Sequence, residues 1–384
     1  MACYLKKMNG WLLIAAVFLL ILWPFHFAAA DEKNEVKERL EELEEIEEKD
    51  DEADEGISVS LPYIEKVTLN GFIEFNFDYI DTEETDDKDS GSHSDLYIGS
   101  IEVALRFFFS KWAKAKVVVN VEDAFKDDDD EDFNLDEALL TLKAPWVPLY
   151  FVGGKTVLPF GVFEDHMISG TVTEDLYEIH NWGATLGLAP DFYGLDMSVS
   201  IYEGQDVIEN LESFDSHEFR DERQNSDEID SFIANLSIEP IAEQVFLSAF
   251  YNSEPGDGNR NESLGGAVTL ALWDFWLDAE YITALAREKG DNEEENKESA
   301  WFLGLAYLMT EELELAARYE VFYDDVSGDQ EEVVDYRYLA GFNYALSDFA
   351  TFSFEYRYTD FEKESGSNAA DDLNELFFQL ALEF

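Results

Sequence analysis

Basic residues are scarce in this chain, with 25 Lys and Arg against 87 Asp and Glu and a formal net charge of −62. That balance excludes nucleic-acid binding, which needs clustered cations against phosphate. Cysteine is nearly absent. The single one, Cys3, precedes the first apolar run and cannot be the acylated cysteine of a lipoprotein. Past that run there is no disulfide, no thiolate nucleophile and no cysteine metal site. Long apolar runs are also missing after the first 25 residues, and mean hydropathy is −0.25. A bundle of membrane helices is therefore excluded. A β-barrel is not, because each of its strands is only half apolar. No convincing Ser/His/Asp arrangement is present, and carboxylates spread over acidic loops do not read as a glycosidase pair. The expectation is a protein that is not an enzyme and needs no cofactor.

The amino terminus has Lys6 and Lys7, an apolar run from Trp11 to about Phe25, then Ala28, Ala29 and Ala30 before Asp31. This is the layout of a secretory signal peptide, expected over residues 1–30. Residues 31–62 form an acidic segment in which Val36, Leu40, Leu43 and Ile46 fall at helical spacing. A short periplasmic helix or coiled coil that aids oligomerisation is one reading. A solvated acidic linker is the other.

From about Lys66 the chain keeps one rhythm. Leu376, Phe378, Leu380, Leu382 and Phe384 are apolar, and Glu375, Gln379 and Glu383 between them are polar, with Phe377 the exception. Such a period-2 strand separates two solvents. Val67, Leu69, Gly71, Ile73, Phe75, Phe77 and Tyr79 alternate in the same way, as do Tyr97, Ile101, Val103, Leu105 and Phe107. Runs of this kind are joined by short turns and by long acidic loops such as 81–94, in alternation. The fold class expected over residues 63–384 is all-β, a transmembrane antiparallel β-barrel of about 16 strands that closes the last strand against the first. Trp112, Trp146, Tyr150, Tyr193, Trp273, Trp276 and Phe349 lie near the short turns and read as an aromatic girdle on the periplasmic side. Phe384 reads as an assembly signal for the barrel-assembly machinery.

About sixteen strands enclose an aqueous channel. Parity places Glu74, Asp78, Glu102, Arg106, Lys114, Lys116, Glu122, Lys143, Lys155, Arg318, Glu320, Arg337, Glu355 and Arg357 on its inner face. With acidic outer loops, this predicts an anionic mouth over a mixed-charge neck, which favours cations. The acidic runs 127–132 and 292–295 lack the ligand spacing of a calcium loop. Divalent ions bridging them to lipopolysaccharide are one reading, plain solvation the other, and no resident metal is expected.

The third long loop, Gly154 to Gly183, carries Pro, Phe, Val, Met and Ile where the others carry Asp and Glu. Water would not hold such a loop, so it is expected to fold into the barrel and narrow the pore. Its constriction residues are Pro159, Phe160, Gly161, Phe163, Glu164, His166, Met167 and Ser169. The run Gly154-Lys155, Pro159-Phe160-Gly161, Phe163-Glu164, His166-Met167-Ile168-Ser169 and Thr171-Val172-Thr173 resembles the loop of the LbtU family of siderophore porins. The resemblance implies an outer-membrane location and passive uptake of a ferric siderophore without a plug domain. The barrel's expected surroundings are outer-membrane lipid and lipopolysaccharide, in a homo-oligomer, as a trimer. A general cation-preferring porin and a structural or adhesive barrel are the rivals.

Overall fold

The computed structural model describes residues 64–84, 91–124, 132–213, 229–256, 258–288, 297–324, 334–361 and 370–384. The expected signal (1–30), the acidic helical segment (31–62) and the acidic runs 127–131 and 292–295 lie outside them. The first eight strands are β1 (Lys66–Glu84), β2 (Gly91–Ser110), β3 (Ala113–Ala124), β4 (Asp132–Lys143), β5 (Leu149–Val157), β6 (His180–Leu188), β7 (Asp196–Tyr202) and β8 (Ser231–Ile241). The rest are β9 (Val245–Glu254), β10 (Asn261–Leu272), β11 (Phe275–Ala286), β12 (Glu298–Leu308), β13 (Leu313–Asp324), β14 (Val334–Ser347), β15 (Ala350–Phe361) and β16 (Ala370–Glu383). Two helices, α1 (Val172–Tyr177) and α2 (Asp206–Ser213), lie in the third and fourth long connections.

Each strand pairs antiparallel with its chain neighbour, and β1 pairs with β16 through Phe77↔Phe378, so the sheet is a closed barrel. Closure leaves no strand edge unpaired, the condition for crossing lipid. The seam runs to the last residue, where Gly71 and Phe384 exchange backbone hydrogen bonds of 2.9 Å each way. Gly71 is needed there, since an added Cβ would lie 2.4 Å from the Glu102 carbonyl oxygen and 2.7 Å from the Phe384 ring.

Strand alternation shows which solvent each face meets. In β7, Ser198 and Ser200 are buried within the barrel, whereas Val199 (53% exposed) and Ile201 (49%) face outward. Polar inside and apolar outside is the reverse of a protein in water, and it fits a wall standing in hydrocarbon. Among the described residues no helix is long and apolar enough to cross a membrane, which says nothing of a barrel.

Several placements differ from the sequence reading. The stretch expected as the loop 81–94 is partly strand, with Asp81↔Ser92 and Thr82↔Gly91 paired. Tyr97 faces inward, because β1 and β2 slip register between Glu74↔Ser100 and Phe75↔Ile98, leaving Gly99 as a bulge. Lys155 stands on the outer face, opposite Ala138 and Trp182, and its Nζ donates to the Leu135 carbonyl at 2.9 Å. Parity restarts at each turn, and β5 is in phase with inward Tyr150, not with Lys155. Two of the girdle aromatics face inward: Tyr150 donates to Asp196 (2.8 Å), and Trp276 lies 5.9 Å from the His166 ring. Trp112, Trp146, Tyr193, Trp273 and Phe349 are exposed at the short-turn end.

The apolar core lies inside the barrel. Each strand from β7 to β13 turns one residue inward to it: Tyr202, Ile233, Phe250, Ala267, Ile282, Ala300 and Phe322. Phe160, Leu176 and Tyr177 of the third connection and Ile208 and Leu211 of α2 pack on this platform. Because β5 and β6 have only nine residues each, the third connection starts low on the wall and enters the lumen directly.

Candidate functional site

The site is the barrel interior around the third long connection, residues 158–179. Its path follows from a sequence of local captures. Phe160 is fully buried, edge-on to Phe250 (5.2 Å) and Tyr177 (6.2 Å). Gly161 takes φ +101, open to glycine, and Phe163 folds its ring back over it. Val162 N donates to Glu280 of β11 at 2.7 Å. Asp165 pairs with Arg318 of β13, whose Nη2 also donates to the carbonyls of Ser169 and Gly170, 2.7 Å each. At the apex, Ile168 N and Ser169 N donate to Glu355 of β15 at 2.8 and 3.0 Å, and the Ser169 hydroxyl donates to the same carboxylate.

The chain then turns into α1. Thr171 and Glu174 form a reciprocal capping box, Thr171 Oγ1 accepting from Glu174 N (3.0 Å) and Glu174 Oε2 from Thr171 N (3.2 Å). This Thr-x-x-Glu spacing is legible as a helix start. Val172 N donates to Glu320 (3.1 Å), Asp175 pairs with Arg337 (3.0 Å), and Tyr177 OH donates to Glu298 (3.0 Å). Glu298 in turn holds Arg287 in a fully buried pair at the base of the connection between β11 and β12. Wall carboxylates on β11 to β15 thus take up the loop's backbone donors, as buried polar groups require.

His166 lies between two of those carboxylates. Its Nδ1 is 3.2 Å from Glu314 Oε1, and its Nε2 is 3.4 Å from Asp278 Oδ2, an ion-pair distance rather than a formed hydrogen bond. Asp278 and Glu314 hold the ring's pKa up to about 10 against the opposing effect of burial. A group raised this way stabilises the fold fully below its ordinary value near 6.5 and progressively less up to its folded value. The melting-temperature difference between the wild type and His166→Gln should be largest near pH 6 and vanish above about pH 10. A difference that does not change with pH would show the ring to be uncharged.

The interior has two unlike sides. Arg106, Lys114, Lys116 and Lys143 stand on the inner face of β2 to β4, the face that also carries Glu102 and Glu122. Lys116 pairs with Glu137. Arg318, Arg337, Glu355 and Arg357 face inward on the opposite wall and hold the loop or its neighbours. Between α1, α2 and His180 a cavity of about 490 Å³ is lined by Glu174, Asp175, Glu178, Asp206 and Glu209. Burial raises Glu174 to about 7 and Asp206 to about 6. No group of His, Cys, Asp and Glu among the described residues has the geometry of a metal site.

Sequence reasoning missed α2. Val207, Ile208 and Leu211 form a buried helical stripe in a connection that reads as acidic, and Val207 N donates to Glu254 at 3.1 Å. The spacing of those three residues was the available signal. It also missed Glu280, Asp278, Glu314 and Glu298, inward carboxylates whose contacts with the loop reach partners more than 100 residues away.

A family model described as Gram-negative porin matches residues 27–364. Among solved structures, the chain is similar to an anion-selective porin from Comamonas acidovorans, with 12% identity, TM-score 0.62 and coverage of 83% of this chain and 99% of that one. It is similar to the outer membrane channel DcaP of Acinetobacter baumannii, with 15% identity, TM-score 0.63 and coverage of 86% and 99%. It is also similar to the trimer form of OmpT, an outer membrane protein of Vibrio cholerae, with 14% identity, TM-score 0.54 and coverage of 83% and 99%. At these identities the likeness is one of fold. No curated protein matches the chain.

Proposed function

We propose that this chain, which belongs to the Gram-negative porin family, is an outer-membrane channel for passive uptake of small polar solutes, narrowed by its third long connection. The observation that carries the reading is the chain of contacts from Asn235 to Glu355 that holds residues 159–175 inside the barrel. Solute crosses between the α1 carboxylates of that connection and the inner face of β2 to β4, which carries Arg106, Lys114, Lys116 and Lys143 beside Glu102 and Glu122. A dipolar solute is aligned by such a field. Among the described residues, the segments inside the barrel are two of its own connections, which supports passage that does not depend on moving a plug. The reading is of a channel, not an enzyme.

The cargo proposed is a ferric siderophore or a similar polar chelate, on the resemblance of Gly154–Gly183 to the LbtU family. Within that stretch Phe160, Asp165, His166 and Ser169 are committed to the wall. Contact with cargo then falls to Glu164, Met167 and the α1 carboxylates. A trimer is proposed by analogy with the trimer form of OmpT. Phe384, at the β1–β16 seam, is proposed as the signal read by the assembly machinery.

Planar-bilayer recording in a salt gradient tests the reading. Stable conducting steps with a cation-selective reversal potential are expected. A barrel that never conducts is structural or adhesive instead. Uptake of labelled ferric siderophore by receptor-deficient cells should depend on the gene; equal uptake without it removes the cargo assignment.

A further inference from the structure

At the apex of the third connection lies a second recess, about 250 Å³, lined by Glu74, Asp78, Tyr97, Ile168, Arg357 and Phe377. It exists because of the Gly99 bulge. Without the slip between Glu74↔Ser100 and Phe75↔Ile98, Tyr97 would point out of the barrel. With it, Tyr97 turns inward and its hydroxyl donates to Asp78 Oδ2 at 2.6 Å. A Cβ on Gly99 would lie 2.1 Å from Asn76 Nδ2, so any larger residue at the bulge has to displace the Asn76 side chain.

The recess is rich in carboxylate acceptors, its charged donor is already used, and the neutral amides of Asn76 and Gln379 complete its lining. Arg357 donates to Glu375 twice, Nε to Oε2 at 2.5 Å and Nη2 to Oε1 at 2.8 Å, and its guanidinium lies 4.8 Å from the Phe377 ring centroid. The backbone N–H groups of Ile168 and Ser169 are taken by Glu355. An anion entering the recess would find its cation engaged. A cation would find the Glu74 carboxylate, with like-charged Glu102 diagonal to it across β1 and β2, and the Asp78 carboxylate beside the Tyr97 ring. Neighbouring acceptors and an aromatic face are the features that bind ammonium and guanidinium groups.

We infer that this recess is a subsite for an organic cation, a solute carrying a primary amine or guanidine. Its volume is below the roughly 300–1,000 Å³ of a pocket that takes a whole drug-sized ligand. It therefore takes one functional group of a passing solute. Its place beside the connection's apex makes it a selectivity element of the channel; that role rests on the channel reading above, whereas binding itself does not.

Agmatine, a guanidine with a primary amine at the other end, is the probe, with a neutral urea of similar length as control. In bilayers agmatine should interrupt the wild-type current, and Glu74→Gln should shorten the interruptions about tenfold, the effect of one charged hydrogen bond. Tyr97→Leu should weaken them as well. Calorimetry on the detergent-solubilised protein should show agmatine binding that Glu74→Gln weakens about tenfold, whether or not the barrel conducts. Equal response to agmatine and the urea, or equal binding by wild type and Glu74→Gln, overturns the subsite. Agmatine binding in a barrel that carries no salt current overturns the selectivity role and leaves the binding site.

Discussion

Replacing Arg318 by methionine is expected to free the third long connection from the barrel wall and to raise single-channel conductance, with added noise. Arg318 is 4% exposed and serves several partners at once. It pairs with Asp165 of the connection, approaches Glu320 at 2.7 Å and donates to the Ser169 and Gly170 carbonyls. Removing one side of a buried ion pair costs about 3–5 kcal/mol, because the abandoned charge stays desolvated. Here two carboxylates are left, and the cheapest relief is to let Asp165 swing into water with the loop attached. The β-ladder does not use the Arg318 side chain, so the barrel should still form. Deleting residues 160–168 should widen the pore further. Bilayer recording decides: a methionine variant with wild-type conductance and noise would mean that the loop stays in place without its arginine.

The second large effect concerns the seam. Phe378→Arg should strongly reduce the folded fraction, whereas Gln379→Arg, one residue on, should fold. Phe378 stands on the outer face at the closing pair, with its ring 5.8 Å from Phe77 and 5.0 Å from Phe354. An arginine on the lipid face of a barrel costs about 2–4 kcal/mol near mid-membrane, and each lost aromatic pair about 0.5–1.5 kcal/mol more. Gln379 points inward, where charge is solvated. Heat-modifiable gel mobility and urea unfolding in vesicles measure both variants. Equal loss in the two would mean that the seam tolerates no substitution and that facing is not the cause.

The alternation that separates Phe378 from Gln379 was legible in the sequence, as were the strand count, the closure of β16 on β1 and the inward path of the third connection. These follow from strictly local periodicity and composition. What was not legible depends on register. Tyr97 changes face because one glycine bulges, and Lys155 because parity restarts after the turn at residues 144–148. The apolar inner residues from Tyr202 to Phe322 break the expectation of a polar lumen, since they form the floor under the loop and α2. The loop's composition predicted that it needs such a floor but could not say which strands supply it. The residues that carry the LbtU resemblance are mainly those that fix the loop to the wall. Their pattern therefore speaks to where the loop lies more directly than to what passes it.

The loop's anchors also impose an order in time. Val162, Ile168 and Tyr177 are held by Glu280, Glu355 and Glu298, which lie 118, 187 and 121 residues later in the chain. None of these contacts can form until β11, β12 and β15 have joined the wall. Such distant partners make loop docking a late and slow event. The closing pair Phe77↔Phe378 is more distant in the chain still, so the wall carboxylates that seat the loop are in place by the time the seam closes.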